Sequence, residues 1–462
     1  MKTPHAILPS APPATLPDST ALARSFLDAT YTDPNRDLRL RHWRGQWYVY
    51  DAGCYRVWPL ADAQVAMRCH IETAYQPASQ PHRKRRDVTT ALIANALDAL
   101  RAQVFIPTTT DHPAWLDGRT TTGDVLHLAD RLVELPSLGR QVGNDYPHSP
   151  HFFSVNMLPG CLDPHRLDPP LFKKFLQQTF EGDQARIRFV QEWMGYLLVP
   201  DTCHQQMLLM LGEGRNGKSV LLDVITDMLG RGNVSNVPLD QLATRFGLGP
   251  TEHKLVNICG DVGTVRRIDE GVLKQFVGGD MMQLEQKYQD ARSFRPTARV
   301  MASANTLPTF SDPTSGLWRR IRVLPFERQV PAHEVDLQLT RKLLTERDSI
   351  LGFAFLGLLR LRQAGAFTTS QKMDAAVTTY RGQNNPARDF LTRFYEANAG
   401  STVVKDDVYQ EFSAWCTAQG HPAPVKAQFG ADVKRMFPTV TDGRESAGDR
   451  RYLHGGLARK AE

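Results

Sequence analysis

The chain has 462 residues, 41% of them hydrophobic and 23% charged, with a formal net charge of +6. That length holds two to four domains, each with its own core, and the composition excludes a fibrous or wholly disordered chain. The longest apolar stretch, Ile350 to Leu359, is only ten residues with two glycines among them; this is too short to cross a bilayer, so no membrane partner is expected.

Five prolines fall within the first 17 residues, with no apolar run of signal-peptide length, so residues 1–20 read as a Pro-rich disordered tail. Six cysteines lie far apart without a C-x-x-C pair, which suits reduced thiols in a cytosol and offers no zinc site. The positive charge weakly favours a polyanionic partner. Residues 21–170 are expected to form an α+β accessory domain. In it, Trp43–Asp51 and Cys54–Trp58 predict two short strands joined through Asp51-Ala52-Gly53. Their dense aromatics point to the packing of a small sheet rather than to stacking on bases. The basic run His82-Arg83-Lys84-Arg85-Arg86 precedes a helical segment, Val88 to Val104, and suits a solvated loop better than a nucleic-acid contact. From Pro107 to Pro164 periodicity is weak, and irregular structure with some β is expected. Helical spacing returns at Leu171, Phe172, Phe175, Leu176 and Phe180, and again from Ile187 to Leu198, giving a helical collar or linker over 171–204.

Residues 205–385 carry the chemistry. Gly212-Glu213-Gly214-Arg215-Asn216-Gly217-Lys218-Ser219 is a full match to the phosphate-binding loop pattern G-x-x-x-x-G-K-[ST]. The apolar run Met207–Leu211 before it predicts a buried parallel strand. Val220, Leu221, Val224, Ile225, Met228 and Leu229 after it predict a helix ending at Gly230. Glycines let backbone N–H groups and the helix N-terminus face a triphosphate; Lys218 would reach its β- and γ-phosphates, and Ser219 would ligate Mg²⁺. ATP and Mg²⁺ are therefore the expected ligands. Such a site also needs an acidic strand end, a polar residue near the γ-phosphate and often a neighbour's arginine. Leu255–Asp261, Arg299–Asn305 and the Arg319-Arg320 pair before Ile321–Phe326 supply one candidate each.

Helical spacing over Val335–Gln363 is dense enough for core, and Thr368–Asn385 is a more polar helix and linker. A separate C-terminal domain, 386–462, follows. Three helical patterns centre on Phe390, Phe412 and Phe429, and then Thr439–Thr441, a turn at Asp442-Gly443 and Tyr452-Leu453 suggest a hairpin. Three helices and a β-wing are the winged-helix order. Lys426, Lys434, Arg435, Arg444, Arg450 and Arg451 lie on the third helix and the wing, where duplex DNA would approach, although a protein-docking role stays open.

Taken together, Gly212–Ser219, Asp261, Lys274-Gln275-Phe276-Val277-Gly278-Gly279-Asp280, Ala304-Asn305 and Trp318–Phe326 resemble the superfamily 3 helicases. They are more closely similar to the phage and plasmid primase–helicase branch related to poxvirus helicases. The resemblance implies an α/β fold with a P-loop, AAA+-like ATPase core. It also implies a homo-oligomeric ring, hexameric by family, that hydrolyses ATP between subunits and moves 3′ to 5′ on single-stranded DNA in a bacterial cytoplasm. By position, Lys218 and Ser219 would hold phosphate and Mg²⁺, Asp261 would be the Walker B acid and Asn305 sensor 1. Arg320, with Arg319 second, would be the arginine finger. Lys287 and Tyr288 would stand at the tip of a channel-facing hairpin. Two departures are visible. Asp261 lacks an adjacent second acid, which leaves the water-activating base unassigned, and no pair of primase carboxylates is evident before the collar. The chain therefore reads as a helicase without its own primase domain, working beside a separate primase or initiator. The alternatives are a small-molecule phosphotransferase and an ATP-switched origin-binding or regulatory protein.

Overall fold

A computed structural model describes residues 18–75, 88–120, 124–135, 144–260, 268–287, 291–306, 308, 310, 315–384, 386–419, 423–445 and 450–460. Residues 18–20, expected within the tail, instead begin a helix: Asp18 caps α1 (Ser19–Phe26) by accepting from the Ala21 N–H at 2.7 Å, and residues 1–17 lie outside the described residues. Strands β1 (Leu40–Trp43), β2 (Gln46–Asp51) and β3 (Cys54–Trp58) form an antiparallel meander. The β2–β3 turn puts Ala52 and Gly53 at φ 48° and 89°, the left-handed pair that a two-residue hairpin needs. One face of the meander, through Leu40 and Trp47, packs on α1 and on helices α2 (Leu60–Tyr75) and α3 (Thr90–Gln103). Trp43, Tyr48 and Tyr55 are fully enclosed with Phe153, so these rings build core and are not open to bases. The basic run at 82–86 lies outside the described residues.

Short strands follow: β4 (Ala114–Trp115), β5 (Val125–His127), β6 (Leu132–Glu134), β7 (Asp145–Tyr146) and β8 (Phe152–Phe153). Leu126, Leu128, Val133, Leu135, Leu158 and Leu162 do not join the N-terminal core. They pack into one cluster with helices α4 (Pro170–Thr179), α5 (Gln184–Tyr196) and the elements below. The residues expected as a collar are thus layered against the central sheet itself.

That sheet holds five parallel strands in the order β10 (Val234–Ser235), β11 (Val256–Cys259), β14 (Arg299–Ala304), β9 (Met207–Leu211), β15 (Ile321–Pro325). Both faces are covered, which is why β9 is apolar throughout. Leu208 and Met210 face α4, α5, α6 (Lys218–Leu229) and α10 (Arg347–Ala364), whereas Met207 and Leu209 face α7 (Glu270–Gly278) and α8 (Ser315–Trp318). Between α7 and β14, β12 (Met282–Leu284) and β13 (Arg292–Phe294) pair as an antiparallel hairpin, Leu284 opposite Arg292. Helix α9 (Leu339–Leu344) precedes α10, and α11 (Gln371–Asn384) returns across β15. Helices α5 and α10 meet backbone to backbone: a Cβ on Gly357 would lie 2.0 Å from the Gln191 carbonyl oxygen, and one on Gly195 would lie 2.3 Å from the Leu358 nitrogen.

The C-terminal unit starts with α12 (Pro386–Phe394), followed by β16 (Tyr395–Val404), α13 (Lys405–Ala418), α14 (Lys426–Met436), β17 (Thr441–Arg444) and β18 (Tyr452–Arg459). Phe390, Phe412 and Phe429 form its centre, the last two stacked at 4.3 Å. The hairpin differs from expectation. Asp442 and Gly443 lie inside β17, opposite His454 and Leu453, and the connection runs beyond Arg444, where the Glu445 N–H donates to the Arg451 carbonyl at 3.0 Å. Strand β16 was also unforeseen; it pairs with β18 through a bulge between Ala397 and Thr402.

Candidate functional site

The loop from Gly212 to Gly217 leaves the carboxyl end of strand β9, which lies between β14 and β15, and opens α6. This is where ligands collect in an open parallel sheet. Two glycines are demanded by the geometry. Gly217 sits at φ 89° against Phe175 and Thr179, and a Cβ on Gly212 would fall 2.4 Å from the Phe326 carbonyl oxygen. Gly214 has open space around it, and Glu213, Gly214, Arg215 and Ser219 are exposed. Asn216 is buried; its amide donates to the Phe326 carbonyl at 3.4 Å and its carbonyl accepts from the Lys218 N–H at 3.4 Å. The Lys218 ammonium donates to the carbonyls of Gly212 and, at 3.1 Å, Glu213. A left-handed glycine opening a 12-residue helix, with the buried Lys218 and the exposed Ser219 in its first turn, provides residue types that could hold a polyphosphate with its metal ion. Asp261, expected as the Walker B acid, lies outside the described residues.

Asn305 is brought to this loop. It follows β14, whose Ala304 is level with Leu211 and accepts from the Gly212 N–H at 3.2 Å. Sequence alone did not reveal the strap after β15. Phe326 backs the loop, the Val330 N–H donates to the Arg215 carbonyl at 2.8 Å, and the Gln329 amide donates to the Glu213 carboxylate at 2.8 Å. Its only signal was the apolar run ending at Phe326.

Arg319 and Arg320 are not brought to the loop. Ile321 pairs with Met207 at the amino end of β9, roughly 13 Å from Leu211 at about 3.3 Å per residue. The Arg320 guanidinium donates to the Gly316 carbonyl at 2.8 Å and to Gln205 at 3.3 Å. Burial and the adjacent Arg319 lower its pKa, against Asp280. The Gly278-Gly279-Asp280 turn lies at this same end, its Gly278 carbonyl accepting from Gln205 at 3.5 Å.

Lys287 is exposed in the loop between β12 and β13, and Tyr288 lies outside the described residues. On the C-terminal unit, the basic residues expected to face DNA are largely ion-paired. Lys426 pairs with Asp406, Lys434 with Asp442 at 2.6 Å, Arg435 with Asp432 at 2.8 Å and Arg451 with Glu445 at 3.0 Å. Arg444 lies over the exposed Tyr452 ring at 5.3 Å and donates to the Arg450 carbonyl; Arg450 is exposed. The basic count in the sequence therefore overstates the free positive charge of this surface. Among the described residues, no helix is long and apolar enough to cross a membrane.

Two family models match separate parts of the chain. A family of unknown function (DUF5906) matches residues 210–320, which hold the loop, Asn305 and Arg320, and the RFX DNA-binding domain matches 384–461. The chain is 24% identical over 277 residues to "Putative helicase 121R" of Invertebrate iridescent virus 3, covering 52% of this chain and 29% of that protein. It is 23% identical over 284 residues to "Putative helicase 022R" of Frog virus 3 (isolate Goorha), covering 56% and 29%. These matches span less than a third of each relative. The apo structure of the NrS-1 C-terminal region shares the fold at a TM-score of 0.52 and 12% identity, covering 96% of this chain and 100% of that one. The chain is thus a distant relative of viral proteins named as helicases, with a mixed α/β fold and a C-terminal segment similar to a DNA-binding domain.

Proposed function

We propose that this chain is an ATP-driven DNA helicase of the superfamily 3 type, acting as a homo-oligomeric ring, six-membered by family resemblance, in the replication of a phage, plasmid or mobile element. The observation that carries the reading is the division of the sheet. Lys218, Ser219 and Asn305 gather at the carboxyl end of β9 while Arg320 stands at the opposite end. A head-to-tail contact between copies would complete each site with the neighbour's Arg320, and such contacts give a ring where the rotation between copies closes. Lys218 would neutralise phosphate charge, Asn305 would orient the attacking water, and Ser219 with Asp261 would hold Mg²⁺, which would supply further charge neutralisation. The C-terminal unit, of winged-helix order, would contact duplex DNA. Similarity to proteins named as helicases and to a DNA-binding domain supports the assignment. The single acid at Asp261 favours one second reading, an ATP-switched origin-binding protein that does not unwind. The test is ATP turnover with and without single-stranded DNA. DNA should stimulate it, and Lys218→Ala should abolish it while leaving the circular dichroism spectrum unchanged. Wild-type turnover in that variant would remove this loop from the chemistry.

A further inference from the structure

Two residues of the 245–254 segment hold the β12–β13 hairpin near its tip. Arg245 pairs with Glu285 at 2.6 Å, and the Glu252 carboxylate takes both guanidinium nitrogens of Arg292, one of them at 2.6 Å. The Gln286 amide also donates to Glu252 at 3.5 Å. Lys287 is the next residue. Glu252 is itself 8% exposed, so this bidentate pair is shielded from solvent and stronger than an ordinary surface ion pair.

His253, the next residue on the other side, joins the same segment to the N-terminal sheet. Its backbone is held at φ 58°, a conformation uncommon for a residue with a side chain. Its ring reaches Tyr48 of β2 at 3.1 Å and His112 at 3.0 Å, and its carbonyl accepts from Asn156 at 2.7 Å. The proton order follows from the ends of this chain. The Tyr48 hydroxyl donates to Gln46 at 2.8 Å, so it accepts from His253 Nε2–H, and His253 Nδ1 then accepts from His112 Nε2–H. His112 Nδ1 is buried with no partner among the described residues, so a proton placed there would go unpaired, which favours the neutral pair. One segment thus carries, on adjacent residues, a clamp on the hairpin and a hydrogen-bonded plug into the N-terminal unit.

We propose that Glu252 is a positioning residue that fixes the DNA-gripping hairpin to the N-terminal β-sheet, making that unit the fixed support against which Lys287 works. This rests on reading the hairpin as the DNA contact. If the sheet and the hairpin are one mechanical body, the N-terminal unit sets the efficiency of coupling between ATP turnover and DNA. It takes no part in hydrolysis, because Glu252 belongs to the segment before β11 and not to the loop that holds Lys218.

The test uses the full chain with Glu252→Gln, Arg292→Gln and the charge-swapped pair Glu252→Arg with Arg292→Glu. Hydrogen exchange should quicken in Glu252→Gln both in the hairpin strands (282–284 and 292–294) and in the N-terminal strands (46–51 and 54–58). Stimulation of ATP turnover by oligothymidylate should fall about tenfold, within the usual coupling range for residues of one network. Basal turnover should stay at the wild-type level, and the swapped pair should recover part of the stimulation that each single change loses. A merely structural defect would lower basal and stimulated turnover together and would not be rescued by the swap. Exchange in 46–58 unmoved by Glu252→Gln, or wild-type stimulation in that variant, would overturn the proposal. A wild-type chain whose turnover ignores DNA would instead overturn the helicase reading, and the exchange comparison would still decide the coupling.

Discussion

Arg320 shows best how a residue's meaning changes between sequence and structure. In the sequence it is one of two adjacent arginines before an apolar strand; in the fold it stands a full strand length from Lys218. Within one copy it cannot meet the γ-phosphate that Lys218 would hold, so any role in hydrolysis must cross to a neighbour. Arg320→Ala should therefore bind ATP yet turn it over about a thousandfold more slowly. Mixing it with Lys218→Ala should restore part of the activity through hybrid interfaces, read as phosphate release across a mixing series. No recovery in mixed assemblies would show that the arginine does not act in trans. The glycine-rich loop, by contrast, was legible from eight consecutive residues, because its pattern encodes local backbone geometry. The Gln329 contact to Glu213 was not, since it joins residues 116 apart in sequence with no spacing to mark them.

At the scale of elements, strands buried on both faces were readable from their apolar runs, and helices from their period. What escaped depended on partners. Strand β16 reads as polar loop because Glu396 to Gly400 are exposed on a bulged strand with no apolar alternation. The Asp442-Gly443 pair looks like a turn, yet Asp442 is drawn into β17 by Lys405 and Lys434, each at 2.6 Å, which hold its carboxyl down at about 2. The glycines of α10 counted in the sequence only as interruptions of an apolar run; in the fold Gly357 is where α10 touches α5. Gly357→Ala must push the helices apart and should cost about 1–3 kcal/mol, seen as a lower denaturant midpoint with the slope unchanged. An unchanged midpoint would mean that the helices yield freely there. The Tyr48–His253–His112 contact gives a pH dependence. Burial, with Arg292, Arg44 and Lys254 nearby, lowers His253 to about 3, and burial and His253 hold His112 well below its usual range, against Asp111. In the unfolded chain both imidazoles take protons near pH 6.5, so between there and about pH 3 the unfolded state binds more protons. This contribution to stability is complete above pH 6.5 and is lost as pH falls. Melting temperature should drop on acidification, and less steeply in a chain carrying His253→Gln.

At the scale of the whole molecule, sequence division and packing division differ. Leu126, Leu128, Val133, Leu135, Leu158 and Leu162 were expected with the N-terminal unit but share a core with α4, α5, α6 and α10, as do the residues expected as a separate collar. Packing of that kind cannot be read from one chain's periodicity, since an apolar stripe does not say which element it will meet. The central claim, that ATP chemistry at the glycine-rich loop drives separation of DNA strands, is tested most directly by strand displacement on forked DNA. Wild-type protein, Lys218→Ala and Lys287→Ala would be compared with ATP and Mg²⁺ present. The account predicts displacement by the wild type, none by Lys218→Ala, and none by Lys287→Ala although its basal ATP turnover stays near normal. A wild-type protein that hydrolyses ATP and binds the fork but never separates its strands would contradict it.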